Sequence, residues 1–145
     1  MKKLTLAILF TLSLSGMIQA QEFNKAIGVR GGYGAEISYQ FPLSGNTRAE
    51  GDLGLFGIAG FTLTGIHQWV FGIQDGLNWY LGVGPQIGAV NNSFGIGIAG
   101  QAGIEYYVPN VPLQLSLDYR PSWFLNLSDD KFAPYGLGVG IRYTF

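Results

Sequence analysis

The last eleven residues of the chain, Tyr135 to Phe145, constrain the fold more than any other stretch. Their sequence is YGLGVGIRYTF, in which an apolar residue stands at every second position from Leu137 to Phe145. Because the side chains of a β-strand point alternately to opposite faces, this spacing predicts a strand with one apolar face. The other face holds only three glycines, one arginine and one threonine. That face is too poor in polar groups to be an ordinary solvent-facing side.

The composition of the whole chain indicates the same unusual surroundings. Charged residues make up 12% of the sequence and hydrophobic residues 48%, whereas soluble domains average about 25% charged residues. The chain has 23 glycines and six prolines, and helix-period segments are almost confined to the N-terminus. These features indicate a single all-β domain, much of whose surface faces something other than water.

The first twenty residues have the organisation of a secretory signal peptide. Two lysines precede an apolar run from Leu4 to Leu14, and small residues then lead to a predicted cleavage point between Ala20 and Gln21. The apolar run is shorter than the about 20 residues that a membrane-spanning helix needs, which disfavours a retained anchor. We therefore expect a signal peptide at residues 1–20 and a mature domain at residues 21–145.

The expected mature chain excludes several classes of protein. Without the two signal lysines it has six basic and nine acidic residues, a net charge of 6 − 9 = −3, which argues against nucleic acid as a partner. It has no cysteine, so neither a disulfide framework nor a lipid-modified cysteine is available. The sequence after residue 20 contains no run of about 18 apolar residues, so it predicts no membrane-spanning helix. If the mature chain spans a membrane, it does so as a closed barrel.

Alternating segments recur between turn signals along the mature chain. The turns are predicted from separators rich in proline, glycine and asparagine, such as Pro42 to Asn46 and Pro109 to Pro112. The segments number eight, which is even and is the minimum for outer-membrane barrels. They run from Lys25 to Gly31, Ala35 to Phe41, Arg48 to Leu55, Phe61 to Phe71, Leu77 to Ala89, Gly95 to Val108, Leu113 to Trp123 and Tyr135 to Phe145, and they leave Phe124 to Pro134 as the one longer loop.

The alternation of apolar with small or polar residues fits two kinds of barrel. Apolar side chains point outward in a membrane barrel and inward in a soluble, lipocalin-like barrel. The aromatic residues favour the membrane barrel, because they lie near the strand ends and bound an aliphatic middle, as expected from the preference of Trp and Tyr for membrane interfaces. The predicted belts consist of Tyr39, Phe41, Trp69, Phe71, Trp79 and Tyr106 at the end near the chain termini, and of Phe61 and Trp123 at the opposite end.

The alternate positions of each strand, which face away from the apolar side chains, form a second file of residues. This file predicts a charged lumen. It carries four arginines and five carboxylates, which have to pair because an isolated buried charge is very costly. The interior of an eight-stranded barrel is just wide enough for side chains to fill, and inward glycines make room for long polar groups. We therefore expect a polar plug rather than a pore or an active site. Its members are Arg30, Glu36, Arg48, Glu50, Asp52, Glu105, Asp118, Arg120 and Arg142.

No pattern in the sequence predicts catalysis, a cofactor or a metal site. His67 is the only histidine, and it lies on the predicted lipid-facing file without a second histidine, a cysteine, a nucleophile or a carboxylate beside it. The sequence GIGIAG at Gly95 to Gly100 is followed by no helix pattern, so it lacks the geometry of a phosphate-binding loop. We expect a protein that is not an enzyme.

Four stretches of the chain carry a family resemblance: AIGVRGGYG (Ala26 to Gly34), LNWYLGVG (Leu77 to Gly84), LQLSLDYRPSWF (Leu113 to Phe124) and GIRYTF (Gly140 to Phe145). With them, the chain resembles the small single-domain outer-membrane β-barrels of Gram-negative bacteria, in the size class of the OmpA transmembrane domain and OmpX. The resemblance implies an eight-stranded antiparallel up-and-down transmembrane β-barrel in the cell outer membrane, monomeric and in contact with lipid. It also implies that Tyr143 and Phe145 mark the last strand for the outer-membrane assembly machinery.

The function implied by this resemblance is structural or concerns surface interaction, without enzymatic activity. Three alternatives stay open from the sequence. They are a membrane-embedded lipid-modifying enzyme, a minimal channel and a secreted lipocalin-like binder.

Overall fold

The computed structural model of the protein describes residues 24–32, 34–55, 60–90, 92–125, 130–133 and 136–145. The predicted signal peptide at residues 1–20 lies outside these ranges. Within them the chain forms β segments, and no helix is long and apolar enough to cross a membrane.

Ten β segments build the described part of the chain. They are β1 (Ala26–Gly31), β2 (Ala35–Pro42), β3 (Thr47–Leu55), β4 (Gly60–Gln74), β5 (Leu77–Val90), β6 (Ser93–Tyr107), β7 (Leu113–Tyr119), β8 (Ser122–Leu125), β9 (Asp130–Ala133) and β10 (Leu137–Thr144).

The sheet closes on itself. Each segment from β1 to β6 pairs antiparallel with the next along the chain, β6 pairs with β7 and β8, and β10 pairs with both β7 and β1. Segments β7 and β8 together form the seventh strand, and β9 and β10 form the eighth. The predicted fold class is confirmed, because the chain is a closed, all-antiparallel barrel of eight strands.

The seventh strand is interrupted at Arg120 and Pro121, although its two segments keep one register against β6. The backbone N–H of Gly100 donates to the carbonyl of Pro121 at an N···O distance of 3.0 Å. Proline has no N–H with which to return the second bond of such a pair. The interruption is therefore a missing hydrogen bond within a continuous strand.

The predicted loop from Phe124 to Pro134 is wrong for most of its length. Strand pairing continues through Leu125 and resumes at Asp130, its partner in β9, while residues 126–129, 134 and 135 lie outside the described ranges. The prediction took this stretch as what remained between two alternating segments. In a barrel, the length of a strand depends on whether its neighbour offers backbone partners. The other seven strands begin and end within three residues of their predicted bounds.

The wall of the barrel separates two kinds of surface. In the eighth strand, Val139 and Ile141 face outward with 57% and 49% of their surface exposed, while Arg142 faces inward and is 0% exposed. The outward side chains stand at odd positions in β5 and at even positions in β6. The β5–β6 hairpin produces this change, because Val90 pairs with Ser93 and leaves two residues between them. One of the two, Asn92, has a φ of 63°, a left-handed conformation that asparagine tolerates.

Candidate functional site

The nine charged residues predicted for the lumen all lie on the inner face of the wall. They come from six strands, and each of the nine lies within 3.1 Å of at least one partner of opposite charge. The most accessible side chain among them, that of Glu36, is 11% exposed. The lumen therefore contains a buried ionic network rather than isolated charges. Its formal charge is 4 − 5 = −1.

Arg120 is the centre of this network. Its Nη1 lies 2.9 Å from Glu36 Oε2, and its Nη2 lies 2.8 Å from both Glu50 Oε1 and Asp52 Oδ2. The second oxygen of Glu50 lies 3.1 Å from Arg142 Nη2. Glu50 thus joins two arginines that are carried by different strands, and the charges neutralise one another across the lumen.

Arg30 forms the second group of contacts. Its Nη2 lies 2.6 Å from Asp118 Oδ1 and its Nη1 lies 3.1 Å from Glu36 Oε2. The same guanidinium donates to the backbone carbonyl of Gly136 at 2.7 Å. The hydroxyl of Tyr80 donates to Asp118 Oδ2 at 3.1 Å. Because Glu36 contacts both Arg30 and Arg120, this group and the Arg120 contacts form one continuous network.

Arg48 and Glu105 form a bidentate pair. Arg48 Nη1 donates to Glu105 Oε1 at 3.0 Å and Arg48 Nη2 donates to Glu105 Oε2 at 2.6 Å, the parallel arrangement that gives guanidinium–carboxylate pairs their strength. Asn78 and Gln114 each donate a further hydrogen bond to Glu105, at 3.2 and 2.8 Å. The guanidinium also lies over the ring of Tyr80, 5.1 Å from its centroid, within the range of a cation–π contact.

The inward glycines leave space that the charged side chains occupy. A Cβ placed on Gly138 would lie 2.5 Å from Arg30 Cζ, and a Cβ on Gly103 would lie 2.6 Å from Asp118 Cβ and 2.7 Å from Tyr80 Cζ. Real Cβ atoms do not approach other heavy atoms so closely. A side chain at either glycine would therefore have to displace a member of the network.

Several uncharged residues belong to the network although they were not predicted as site residues. They share the inward file, and that parity is the only signal in the sequence that marks them. Tyr80 is a large aromatic residue among small and polar neighbours on the inner face, and it is fully buried in contact with both Arg48 and Asp118. The other members are Ser38, Gln40, Gln68, Asn78, Gln101, Tyr107, Gln114 and Ser116.

A few buried polar atoms remain without a hydrogen bond in the described part of the chain. They include both carboxylate oxygens of Asp52 and the Nε of Arg120. The Asp52 oxygens still lie beside the Arg120 guanidinium, with one of them 2.8 Å from Nη2. Every carboxylate of the network is thus held by an arginine. Within the described ranges, no group of three His, Cys, Asp or Glu side chains is arranged to hold a metal ion.

The aromatic residues predicted for the belts lie on the outer surface, toward the two ends of the barrel. Phe71 and Trp79 stack with their ring centroids 4.4 Å apart, and Trp69 makes an edge contact with His67 at 4.7 Å. At the opposite end, Phe61 is 43% exposed. The remaining members, with exposures from 36% to 54%, are Tyr39, Phe41, Tyr106 and Trp123.

The last residues of the chain also lie on the outer surface. Tyr143 and Phe145 are 54% and 57% exposed and stack with their centroids 6.2 Å apart. The backbone N–H of Phe145 donates to the carbonyl of Lys25 at 2.9 Å. The pairing of β1 with β10 therefore extends to Phe145.

The sequence of the chain matches none of the known protein families and none of the curated proteins. Several solved structures resemble it in fold, among them a designed barrel and a Neisserial protein. A designed transmembrane β-barrel has a TM-score of 0.64 and 19% sequence identity, over 88% of this chain and 100% of the designed one. Neisserial surface protein A (NspA) has a TM-score of 0.62 and 17% identity, over 84% of this chain and 94% of its own. The fold of the chain is that of a small transmembrane β-barrel.

Proposed function

We propose that this protein is a non-enzymatic integral protein of the Gram-negative outer membrane, with a structural or surface-interaction role and a lumen closed by its own side chains. One observation carries the proposal. The wall sorts the side chains by chemistry, with apolar groups outside and paired charges inside. The likeness in fold to Neisserial surface protein A supports this proposal.

The distribution of hydrophobic residues is the reverse of that in a soluble protein. In the described part of the chain, thirty large hydrophobic side chains are exposed and five hydrophobic residues are buried. Soluble monomers rarely expose contiguous apolar patches larger than a few hundred Å². A lipocalin-like barrel would require the apolar file inside, where Arg48 and Arg142 lie instead. The outer surface therefore suits contact with membrane lipid, which is the partner we propose for it.

The ionic network supports a plug rather than a channel. Its pairs join residues far apart in sequence, such as Arg30 with Asp118 and Arg142 with Glu50, and each charge has its partner within the lumen. An ion crossing the lumen would have to separate these pairs, and a buried charge that loses its partner is costly. In the described part of the lumen each of the five carboxylates contacts an arginine, which supports a structural role for them.

Conductance across planar bilayers tests the closed lumen. We expect the refolded protein to give no steady single-channel current, whereas the double variant Glu50→Ser with Arg120→Ser, which removes the centre of the network, should pass ions. Steady currents from the unchanged protein would contradict a plug.

Cell fractionation tests the membrane placement. In a Gram-negative host, we expect the protein in the outer-membrane fraction, with a gel mobility that changes only when the sample is boiled in detergent. Recovery as a soluble protein without detergent would contradict the proposal.

We further propose that Tyr143 and Phe145 serve as the recognition mark for the assembly machinery and that the folded barrel is monomeric. The exposure of both rings on the closing strand supports this role. Deletion of Phe145 should lower the yield of folded protein in cells and leave refolding into pure lipid vesicles unchanged. An equal loss in both settings would show that Phe145 acts only on stability.

A further inference from the structure

A groove of about 290 Å³ indents the outer face of the barrel where β6 meets the seventh strand. Its walls are large apolar side chains that point away from the lumen, and more than half of the surface of Ile98, Trp123 and Leu125 is exposed. The groove is lined by Ile98, Gly100, Pro121, Ser122, Trp123 and Leu125.

The floor of the groove is low because of two residues that face each other across the two strands. Gly100 has no side chain, and Pro121 presents only its short ring. A Cβ placed on Gly100 would have the Pro121 Cγ as its nearest neighbour, at 3.9 Å. The space above Gly100 is therefore open, while Ile98 and Trp123 rise on either side of it.

Pro121 also changes the hydrogen bonding of this floor. In a hydrogen-bonded antiparallel pair, the two residues exchange two N–H···O bonds. Gly100 donates its bond to the Pro121 carbonyl at 3.0 Å, but the ring nitrogen of Pro121 has no hydrogen to donate to the Gly100 carbonyl. The Gly100 carbonyl, which lies in the floor of the groove, therefore accepts no hydrogen bond from the residue opposite it in the seventh strand.

The height of Gly100 places this acceptor within the hydrocarbon layer. Gly100 lies six residues along β6 from Tyr106, which belongs to the aromatic belt at the end of the barrel near the chain termini. A tilted strand gains about 2.5 Å of height per residue, so Gly100 stands about 15 Å above Tyr106. The apolar band of such a barrel is about 25 Å tall. At that depth no water is available to satisfy a carbonyl, and an unsatisfied carbonyl costs several kcal/mol. A lipid is the molecule that can supply the donor.

We propose that this groove binds the acyl chain of a membrane lipid that carries a hydroxyl group near its carboxyl end. The apolar walls contact the alkyl chain, and the hydroxyl donates a hydrogen bond to the Gly100 carbonyl. A hydroxyl is a donor small enough to pass over the open floor above Gly100. Because the groove lies in the half of the band toward Trp123, the chain comes from the leaflet on that side. This inference rests on the proposed membrane placement.

Trp123 lines the groove and can report on its occupancy. The variant Trp69→Phe with Trp79→Phe leaves Trp123 as the single tryptophan. We would refold it into phosphatidylcholine vesicles that contain a phospholipid with brominated acyl chains, which quench tryptophan on contact. Titration with 3-hydroxytetradecanoic acid and with tetradecanoic acid should relieve the quenching. Since a hydrogen bond within a membrane contributes about 0.6–1.7 kcal/mol, the hydroxy acid should act at about three- to eighteenfold lower mole fraction. Equal effects of the two acids would overturn the proposal.

Two substitutions, made in the single-tryptophan protein, separate the roles of the carbonyl and of the groove. Pro121→Val restores an N–H opposite Gly100, so the preference for the hydroxy acid should disappear while the unmodified acid still acts. Gly100→Leu fills the floor, so neither acid should relieve the quenching. Retention of the preference in Pro121→Val, or of relief in a folded Gly100→Leu, would contradict the assignment.

Pro85→Val is the matched control. Pro85 also faces outward. On one side it pairs with Ile98 of the groove wall, but the pairing that it interrupts, between Thr64↔Gln86 and His67↔Val83, lies on its other side, toward β4. The preference should be unchanged in this variant, and a loss of preference there would count against the groove. Heat-modifiable migration of each refolded sample separates failure of this inference from failure of the membrane placement, because a barrel that inserts but shows no preference contradicts only the groove.

Discussion

The inner and outer faces of the same strand are held in place by different forces. Ile141 and Arg142 are neighbours in β10, yet Ile141 is 49% exposed on the outer face and Arg142 is 0% exposed on the inner face. Arg142 makes directed contacts with Ser38, Ser116 and Glu50 at 2.9, 2.8 and 3.1 Å. The outer face only has to be apolar, since transfer into hydrocarbon is non-directional. The stability of the barrel should therefore depend on which residue stands at each inner position, whereas at the outer positions it should depend only on whether the side chain is apolar.

The largest effect should come from breaking a buried pair on the inner face. Arg48→Met or Glu105→Leu alone should lower the free energy of unfolding by about 3–5 kcal/mol, because each leaves an unpaired buried charge. The double variant should lose less than the sum of the two losses. Urea unfolding in lipid vesicles, followed by tryptophan fluorescence, measures all three. Simple additivity would show that the two charges do not depend on each other.

A smaller effect should follow from placing a charge on the outer face. Val139 lies in the aliphatic middle of the eighth strand and is 57% exposed. Val139→Arg should lower the free energy of unfolding by about 2–4 kcal/mol, because an arginine near the bilayer midplane is costly. Val139→Leu is the control and should change it by less than about 0.5 kcal/mol. If the arginine variant is as stable as the leucine variant in vesicles, this face does not meet lipid.

A matched pair of glycines compares the two faces directly. A Cβ on Gly138 would lie 2.5 Å from Arg30 Cζ on the inner side, whereas a Cβ on outward-facing Gly51 would meet nothing within 4 Å. Gly138→Ala should therefore lower the free energy of unfolding by about 1–3 kcal/mol, the usual cost of overpacking. Gly51→Ala should be neutral or slightly stabilising. Equal effects in the same urea titration would mean that Arg30 moves aside without losing its contacts.

The smallest effect should come from the aromatic belt. Phe71 and Trp79 stack with an interplanar angle of 23°. Trp79→Leu keeps an apolar residue and removes the stacking, so it should cost about 0.5–1.5 kcal/mol. A decrease of more than about 3 kcal/mol in the free energy of unfolding would indicate that directed contacts matter on the outer face too. It would contradict the proposed difference between the two faces.

The architecture could be predicted from the sequence because alternation with period two sets which residues share a face. The parity of Leu137 to Phe145 gives the outward file of the last strand, and the change of parity at the β5–β6 hairpin follows from the same pattern. Eight segments of alternating residues then permit closure. A fold in which each strand has one apolar face and pairs with its neighbours along the chain can be predicted from local patterns.

The partners within the lumen could not be predicted in the same way. Arg30 pairs with Asp118, which is 88 positions away, and parity shows only that both side chains point inward. Which charges meet depends on the stagger of the strands around the barrel, which is a property of the closed sheet. The hairpin of β8 and β9 was missed for a related reason, because the pairing of Phe124 with Lys131 and of Leu125 with Asp130 depends on the neighbouring segment and not on local composition.

Accessibility of single cysteines in a bilayer tests the central claim most directly, because the natural chain contains no cysteine. Spin labels at Leu115→Cys, Ser116→Cys and Leu117→Cys sample three successive residues of β7, of which Ser116 faces inward and is 5% exposed. We predict frequent collisions with oxygen, which concentrates in hydrocarbon, at positions 115 and 117, and protection from both oxygen and a water-soluble nickel complex at position 116. Oxygen collisions at position 116, with protection at positions 115 and 117, would contradict a barrel with its apolar side chains in lipid and its charges within.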